Sequence, residues 1–413
     1  MITRGYTARL YPAKQASRLN AWVGGLRFVW NRLRDAEIAE YDATKKFLWL
    51  KGEQPLAVAM KRQPGQEWLA DLPAHAVLDV CRQLDGALKK MVRDRKAGRD
   101  CGFPRLKKKF VNEPGIDMVG QATTIEGDRI RLPKLGWLRF SGGPIPEHKQ
   151  ILGSRVWRDG RRWMLSVQFK CEKPEPLPPS NRTVAIDLGV RRLATIYSGE
   201  EFEHIDAPRP LRRAAKRLRR AERQKARRRK GSQRRRIAAR RVGVLHRKVR
   251  EYRKDFLHQL SHRLTAKAGM VKLEDLNVRG IARGFLAKSA ADAGLGTLLR
   301  FIRYKAEWRG RRVAKVGRFF PSTQTCCRCG TLHPEMKNLS RRILRCACGN
   351  VMDRDENAAV NIYYRQEGGN GVDPVSDHRG AVRVELGCQG CVPVLGEEAR
   401  KNIGSHRDDY ECQ

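Results

Sequence analysis

Apolar positions change their period several times along this chain, and each change marks an element. In the first dozen residues Thr7, Arg9 and Tyr11 alternate with Ala8 and Leu10 before Pro12, the period-two pattern of a short strand. Leu19, Trp22, Val23, Leu26, Val29, Trp30 and Leu33 then recur at three- and four-residue steps, and Val77, Val80, Cys81, Leu84, Leu88 and Met91 do so again. A helical domain is expected over 13–111. Between about 117 and 172 the period returns to two, with apolar and basic residues alternating through Arg129-Ile-Arg-Leu132, Trp137-Leu-Arg-Phe140 and Val156-Trp-Arg158. Asp159-Gly160 is a hairpin signal between Ser154–Arg158 and Trp163–Phe169. The expectation is a small antiparallel sheet, closed into a barrel by the N-terminal strand.

Lys173-Pro-Glu-Pro-Leu-Pro-Pro-Ser180 reads as a stiff linker and the main domain boundary. Beyond it, 183–190 and 193–198 read as adjacent strands, 270–273 and 312–316 as two more, and 295–309 as a helix. Arg and Lys fill roughly half of 209–254, broken at Gly231-Ser232. An apolar stripe through Val242, Leu245, Val249, Tyr252, Phe256, Leu260 and Leu264 makes the second half an amphipathic helix, so two antiparallel helices should turn near Gly231. The Gly-rich, patternless segment 369–413 is expected to be a mobile tail.

Composition sharpens this outline. The chain has 413 residues, enough for two to four domains, and a net charge of +42. So large an excess implies a polyanionic partner, and extended nucleic acid suits it better than a membrane surface. No apolar run approaches the roughly 20 residues of a membrane span, and the first residues lack a signal peptide's apolar core, so a cytoplasmic location without membrane attachment is expected. Trp22, Trp30, Trp137, Trp157 and Trp163 could stack on bases, but their phase along their elements suits core positions better. Of eleven cysteines, Cys81, Cys101 and Cys171 are scattered and others are clustered at metal-ligand spacing, which is not a secreted disulfide framework.

Cys326-Cys-Arg-Cys329-Gly and Cys346-Ala-Cys348-Gly suit one tetrahedral structural Zn²⁺ held by Cys326, Cys329, Cys346 and Cys348. Cys327 would stand aside, although the short second pair leaves its exchange with a neighbour open. Cys388-x-x-Cys391 has no second pair, only the lone Cys412.

Three acids far apart in sequence have settings that suit one metal site. Asp187 follows the buried run Val184-Ala-Ile186 and precedes Gly189, and Glu274 ends Val271-Lys-Leu273 in the same way. Asp355 opens a helix in which Asp353 and Glu356 stand at capping-box spacing. Two strands and a helix of this kind are characteristic of the ribonuclease H-like fold. Hard carboxylate oxygens suit two Mg²⁺ ions, with Mn²⁺ able to substitute, and that pair hydrolyses phosphodiesters by neutralising the entering and leaving oxygens. From the residues alone, Asp353 competes with Asp355 as the third ligand.

In order, strand Asp187, Arg-rich helices, Glu274, Pro321-Ser-Thr-Gln-Thr-Cys-Cys-Arg-Cys-Gly, the second cysteine pair and Asp353-Arg-Asp-Glu-Asn-Ala-Ala-Val-Asn-Ile resemble the TnpB family, insertion-sequence-encoded relatives of type V CRISPR effectors. Arg4-Gly-Tyr-Thr-Ala-Arg-Leu-Tyr-Pro and Phe28-Val-Trp-Asn are similar to that family's N-terminus. The resemblance implies a multidomain α+β protein. It would have a wedge-like β-barrel (1–12 and 112–178), a helical recognition domain (13–111), a RuvC-like nuclease domain (182–318 and 353–368) and a zinc-binding insertion (319–352). It further implies an RNA-guided DNA endonuclease of the prokaryotic nucleoid that takes a guide RNA from its own element and cuts double-stranded DNA beside a short motif. Asp187, Glu274 and Asp355 would be catalytic and hold Mg²⁺, with one protein per guide RNA. Competing readings are a compact type V CRISPR effector, a nuclease-silent RNA-guided repressor, a guide-free junction-resolving nuclease and a basic structural RNA-binding protein.

Overall fold

The computed structural model describes residues 1–109, 114–120, 123–142, 145 and 147–365; the expected tail, with Cys388, Cys391 and Cys412, lies outside the described residues. β1 (Ile2–Tyr11) leads through a short 3-10 turn into α1 (Ala16–Thr44), followed by α2 (Trp49–Met60) and α3 (Ala74–Lys96). The apolar faces read from the sequence point inward: Leu19, Trp22, Leu26 and Leu33 of α1 and Val80, Leu84 and Leu88 of α3 are all sealed in one core. α2 escapes the sequence pattern because Pro55 lies inside it, where proline ordinarily ends a helix.

Seven strands follow one another across the first sheet. β2 (Ile116–Val119), β3 (Thr124–Glu126), β4 (Arg129–Leu132), β5 (Gly136–Phe140), β6 (Gln150–Asp159) and β7 (Arg162–Cys171) join β1 in the order β2-β6-β7-β1-β5-β4-β3. β1 is therefore central, antiparallel to β7 from Ile2↔Cys171 to Leu10↔Trp163. Among the described residues β2 and β3 are edges, so the ladder is open and not a closed ring. Asp159 pairs with Arg162, which makes the two turn residues Gly160-Arg161, one position later than the sequence signal. Gly160 supplies the left-handed backbone (φ +66°) that a two-residue turn requires. The sheet shares its core with α1 and α3, a union that the change of period does not reveal.

The Pro-rich segment 173–180 is strapped to the second unit: Leu177 N–H donates to Arg309 O at 3.1 Å and Arg311 to Pro178 O at 2.8 Å. That unit comprises β8 (Thr183–Leu188), β9 (Arg192–Tyr197), β10 (Phe202–Asp206), α4 (Pro210–Ala226), α5 (Gln233–Lys267), β11 (Met270–Glu274), α6 (Val278–Ile281), α7 (Ala287–Ala293), α8 (Leu295–Trp308) and β12 (Arg312–Val316). A small hairpin, β13 (Ile343–Arg345) with β14 (Val351–Asp353), precedes α9 (Arg354–Tyr364). The sheet order is β10-β9-β8-β11-β12, antiparallel on the β9 side of β8 and parallel on the β11 side. α4 and α5 are the expected basic pair. Of the expected stripe on α5, Val242, Val249, Leu260 and Leu264 are buried, Tyr252 is half exposed and Leu257 is sealed instead. At 35 residues α5 is about 50 Å long, and it outruns its own sheet to reach the β6–β7 hairpin, where Arg250 pairs with Asp159.

Alternation along β8 and β11 divides the two faces of this sheet. Ile186, Val184, Val271 and Leu273 pack with Leu257 and Leu260 of α5 and Leu298 and Phe301 of α8. Ala185 packs the other way, with Val316 and Ile362 of α9. Position 187 therefore falls on the α9 face, as does position 274, one step past Leu273.

Candidate carboxylate centre and basic cleft

β11 runs parallel to β8 with Lys272 beside Ala185 and Leu273 beside Ile186, so the next step of the ladder sets Glu274 beside Asp187. Neighbouring strands lie about 4.8 Å apart, which makes these two acids neighbours on one face. α9 covers that face in a fixed direction. Its C-terminal end is held by Lys272, whose ammonium donates to Tyr363 O at 2.5 Å and Arg365 O at 2.9 Å. Its N-terminal end, bearing Asp355, consequently lies toward Glu274 and Asp187.

The electrostatics record this convergence. Asp187 is buried, and its carboxyl is pushed well above the usual carboxylate range first by burial and then by the charges of Glu274 and Asp355, with Arg354 opposing. Glu274 is also raised by burial, against the hydrogen bond from Ser322 and the charge of Arg354. Three acids crowded together, Asp187 buried and Glu274 and Asp355 half-buried, carry an electrostatic cost that bound cations would remove. Asp355 stands 3.5 Å from Arg342. Asp353 is committed elsewhere: its Oδ1 accepts the N–H groups of Asp355 at 2.9 Å and Glu356 at 3.4 Å, capping α9, and lies 3.1 Å from Arg192. Glu356 does not return the capping-box bond but meets His204 at 2.9 Å.

Sulfur atoms of Cys326, Cys329, Cys346 and Cys348 lie within 4.8 Å of one another, the tightest being Cys329–Cys346 at 3.4 Å and Cys326–Cys348 at 3.7 Å. A tetrahedral Zn²⁺ with Zn–S near 2.3 Å has edges of about 3.8 Å. Cys327 is outside the quartet, its sulfur 3.9 Å from that of Met352. The single residue between Cys346 and Cys348 is accommodated because Gly349 takes φ +84° and Cys346 N–H turns back onto Asn350 O.

A cleft of about 1420 Å³ opens between the β6–β7 hairpin, α3, α4 and α5, and shares no residue with the carboxylate centre. Arg9, Lys107, Arg155, Arg158, Arg236 and Arg240 are among its lining. The expectation for the tryptophans divides: Trp22, Trp30 and Trp163 are buried, Trp137 is 39% exposed and Trp157 lies between. Sequence reading passed over Ser322, Asn357 and Asn361: the buried amides of the two asparagines tie the loop after β12 to α9 through the carbonyls of Ser322 and Thr325, and the Ser322 hydroxyl donates to Glu274. The spacing of the two asparagines, one helical turn apart beside Asp355, was the available signal.

Fold and site together define a strongly basic protein of mixed α and β structure with an acidic centre and a four-cysteine module. Family models match three stretches: "Probable transposase" over 166–284, "Cas12f1-like, TNB domain" over 296–362 and "Helix-turn-helix domain" over 1–46. The last describes a motif this chain does not form there, since 1–46 holds β1 and the single long helix α1. A protein of Streptomyces pristinaespiralis named "Putative RNA-guided DNA endonuclease" is 31% identical over 87% of this chain and 89% of its own length. Relatives with names of the same form are InsQ of Escherichia coli, 29% identical over 84% of this chain and 88% of its own, and MT2953 of Mycobacterium tuberculosis, 32% identical over 84% and 80%. In fold the chain is similar to the protein in the solved Cas12f1–sgRNA–target DNA complex, with a TM-score of 0.52, 15% identity and coverage of 85% of this chain and 82% of that one. The chain belongs to the TnpB family.

Proposed function

We propose that this chain is an RNA-guided DNA endonuclease that takes its guide RNA from its own transposable element and cuts double-stranded DNA beside a short motif. The observation that carries the reading is the α9 face of the second sheet, where adjacent parallel strands present Asp187 and Glu274 beneath the helix that bears Asp355. Asp187, Glu274 and Asp355 are proposed as the catalytic acids of a RuvC-like, ribonuclease H-like site. Their crowding and burial fit divalent cations, Mg²⁺ or Mn²⁺, which when bound supply charge neutralisation at the entering and leaving oxygens. The capping role of Asp353 supports Asp355 as the third ligand. Cys326, Cys329, Cys346 and Cys348 would hold a structural Zn²⁺ in the 319–352 insertion. With four protein ligands that site keeps no position for water and supplies no catalysis.

The basic cleft would hold the guide and its paired target strand by their phosphates. Phosphate contacts fix affinity and register while base pairing to the guide reads sequence, which accounts for so many arginines. In this reading 1–12 with 112–178 and 13–111 form the wedge and recognition parts, 182–318 with 353–368 form the nuclease, and one protein binds one guide in the prokaryotic cytoplasm. Among the described residues no helix is long and apolar enough to cross a membrane.

The test is to purify the protein from cells carrying its native flanking DNA, sequence the bound RNA and challenge the complex with a target library and Mg²⁺. Discrete RNA ending in element-flanking sequence, with cutting only at matched targets, is expected. Cutting without discrete RNA would replace the proposal with a guide-free nuclease, and discrete RNA without cutting with a binding protein.

A further inference from the structure

We infer that Ser322 is a positioning residue for Glu274, and that the paired amides of Asn357 and Asn361 hold Ser322 in place from the helix that bears Asp355. The inference rests on the reading of the carboxylate centre given above. Ser322 is buried at 3% exposure and its hydroxyl donates to Oε1 of Glu274. One carboxylate oxygen is thereby fixed, and the rotation of a long, otherwise mobile glutamate side chain is restricted. Ser322 belongs to the loop between β12 and the cysteine module, a segment with no ladder of its own.

That loop is clamped by α9. Nδ2 of Asn361 donates to Ser322 O at 2.8 Å and Thr325 O at 2.7 Å, and Nδ2 of Asn357 reaches the same two carbonyls at 3.3 and 2.7 Å. Oδ1 of Asn357 accepts the N–H of Cys327 at 2.9 Å, which extends the clamp into the cysteine module. Asn357 is fully buried and Asn361 nearly so, positions where an amide is retained only when its polar atoms are satisfied. One helix thus presents the third acid and fixes the partner of the second, so a single docking event sets the spacing of both. A module that merely stapled the loop would need no hydroxyl aimed at Glu274.

The experiment uses full-length protein with its bound RNA, on a non-cleavable target for metal binding and a cleavable matched target for rate, comparing wild type, S322A, S322T, N361A and E274Q. Mn²⁺ binding is read by the electron paramagnetic resonance of the free ion, cleavage rate is measured against Mn²⁺ concentration, and zinc and RNA content are assayed in parallel. S322A is expected to raise half-saturating Mn²⁺ about 10- to 100-fold, the usual cost of losing a partner behind a metal ligand, with zinc and RNA retained. N361A should move it less in the same direction, and S322T should restore the wild-type value. Unchanged half-saturation in S322A would overturn the inference, as would failure of S322T to differ from S322A. Should S322A lose zinc or RNA, N361A, which keeps the hydroxyl, is read by the same criterion. Wild-type Mn²⁺ binding in E274Q would instead refute the carboxylate reading itself.

Discussion

Removing two arginines from the cleft should weaken nucleic-acid binding in a way that salt makes quantitative. Arg236 and Arg240 are exposed, lie one turn apart on α5 and both line the 1420 Å³ cleft. If each meets one phosphate of a guide–target duplex, R236A/R240A should make the slope of log affinity against log salt shallower by about 1.8, at roughly 0.9 per contact. Between 50 and 200 mM salt that difference compounds to about tenfold, so the deficit of the variant is largest at low salt and shrinks on addition of salt. Filter binding of a pre-formed RNA–DNA hybrid across that range measures it. K45A/K46A, exposed just beyond α1 and outside the cleft, is the control for net charge. Equal slope changes in the two variants would refute the assignment of the cleft, since general charge loss would then explain both.

D187N should abolish cleavage while leaving RNA and target binding intact, and measurable cutting by that variant would remove Asp187 from the reaction. C326S should release zinc and loosen the 319–352 module; unchanged zinc by elemental analysis would show the ligand set to be wrong. A pH dependence follows from Glu53, which is fully buried in the helical core and whose nearest polar neighbour, Glu37, already accepts the N–H groups of Leu48 and Trp49 at 3.0 Å each. Burial first, then Glu37 and Asp85, lift its carboxyl from 4.5 to about 9, so Glu53 keeps its proton at neutral pH. The folded state holds one proton more than the unfolded chain between those values, and stability falls as pH rises through that window. E53Q supplies a side chain that is neutral at every pH and should stabilise α1–α3 by about 3 kcal/mol at pH 7, with little effect near pH 4.5. Amide exchange in these helices at pH 5 and 8 measures the difference, and a pH trend identical to wild type would discard a protonated Glu53.

Much of the second unit was legible because its signals are local. The run Val184-Ala-Ile186 before an acid, the capping pattern at Asp353 and the cysteine spacing each depend on residues a few positions apart. What escaped was set either by a local exception to the usual signals or by partners distant in sequence. α2 was lost to Pro55, β10 is a short edge strand with only partly buried residues, and the tip of the β6–β7 hairpin moved one residue because pairing of Asp159 with Arg162 decides it. The role of Asn357 and Asn361 could not be read, since their carbonyl partners lie 32 to 39 residues upstream.

The sequence by itself determined the basic character of the protein, the periodicity of its main helices and strands and the cysteine quartet, and it marked Asp187, Glu274 and, through the family resemblance, Asp355 as candidate metal ligands. Those properties follow from side-chain chemistry and from spacing along one element. Only the tertiary structure decided that the N-terminal strand lies centrally in the first sheet, that helices and sheet share one core, and that Asp187, Glu274 and α9 meet on one face. Strand register and helix direction settle these, and both are fixed by packing between segments that have no proximity along the chain.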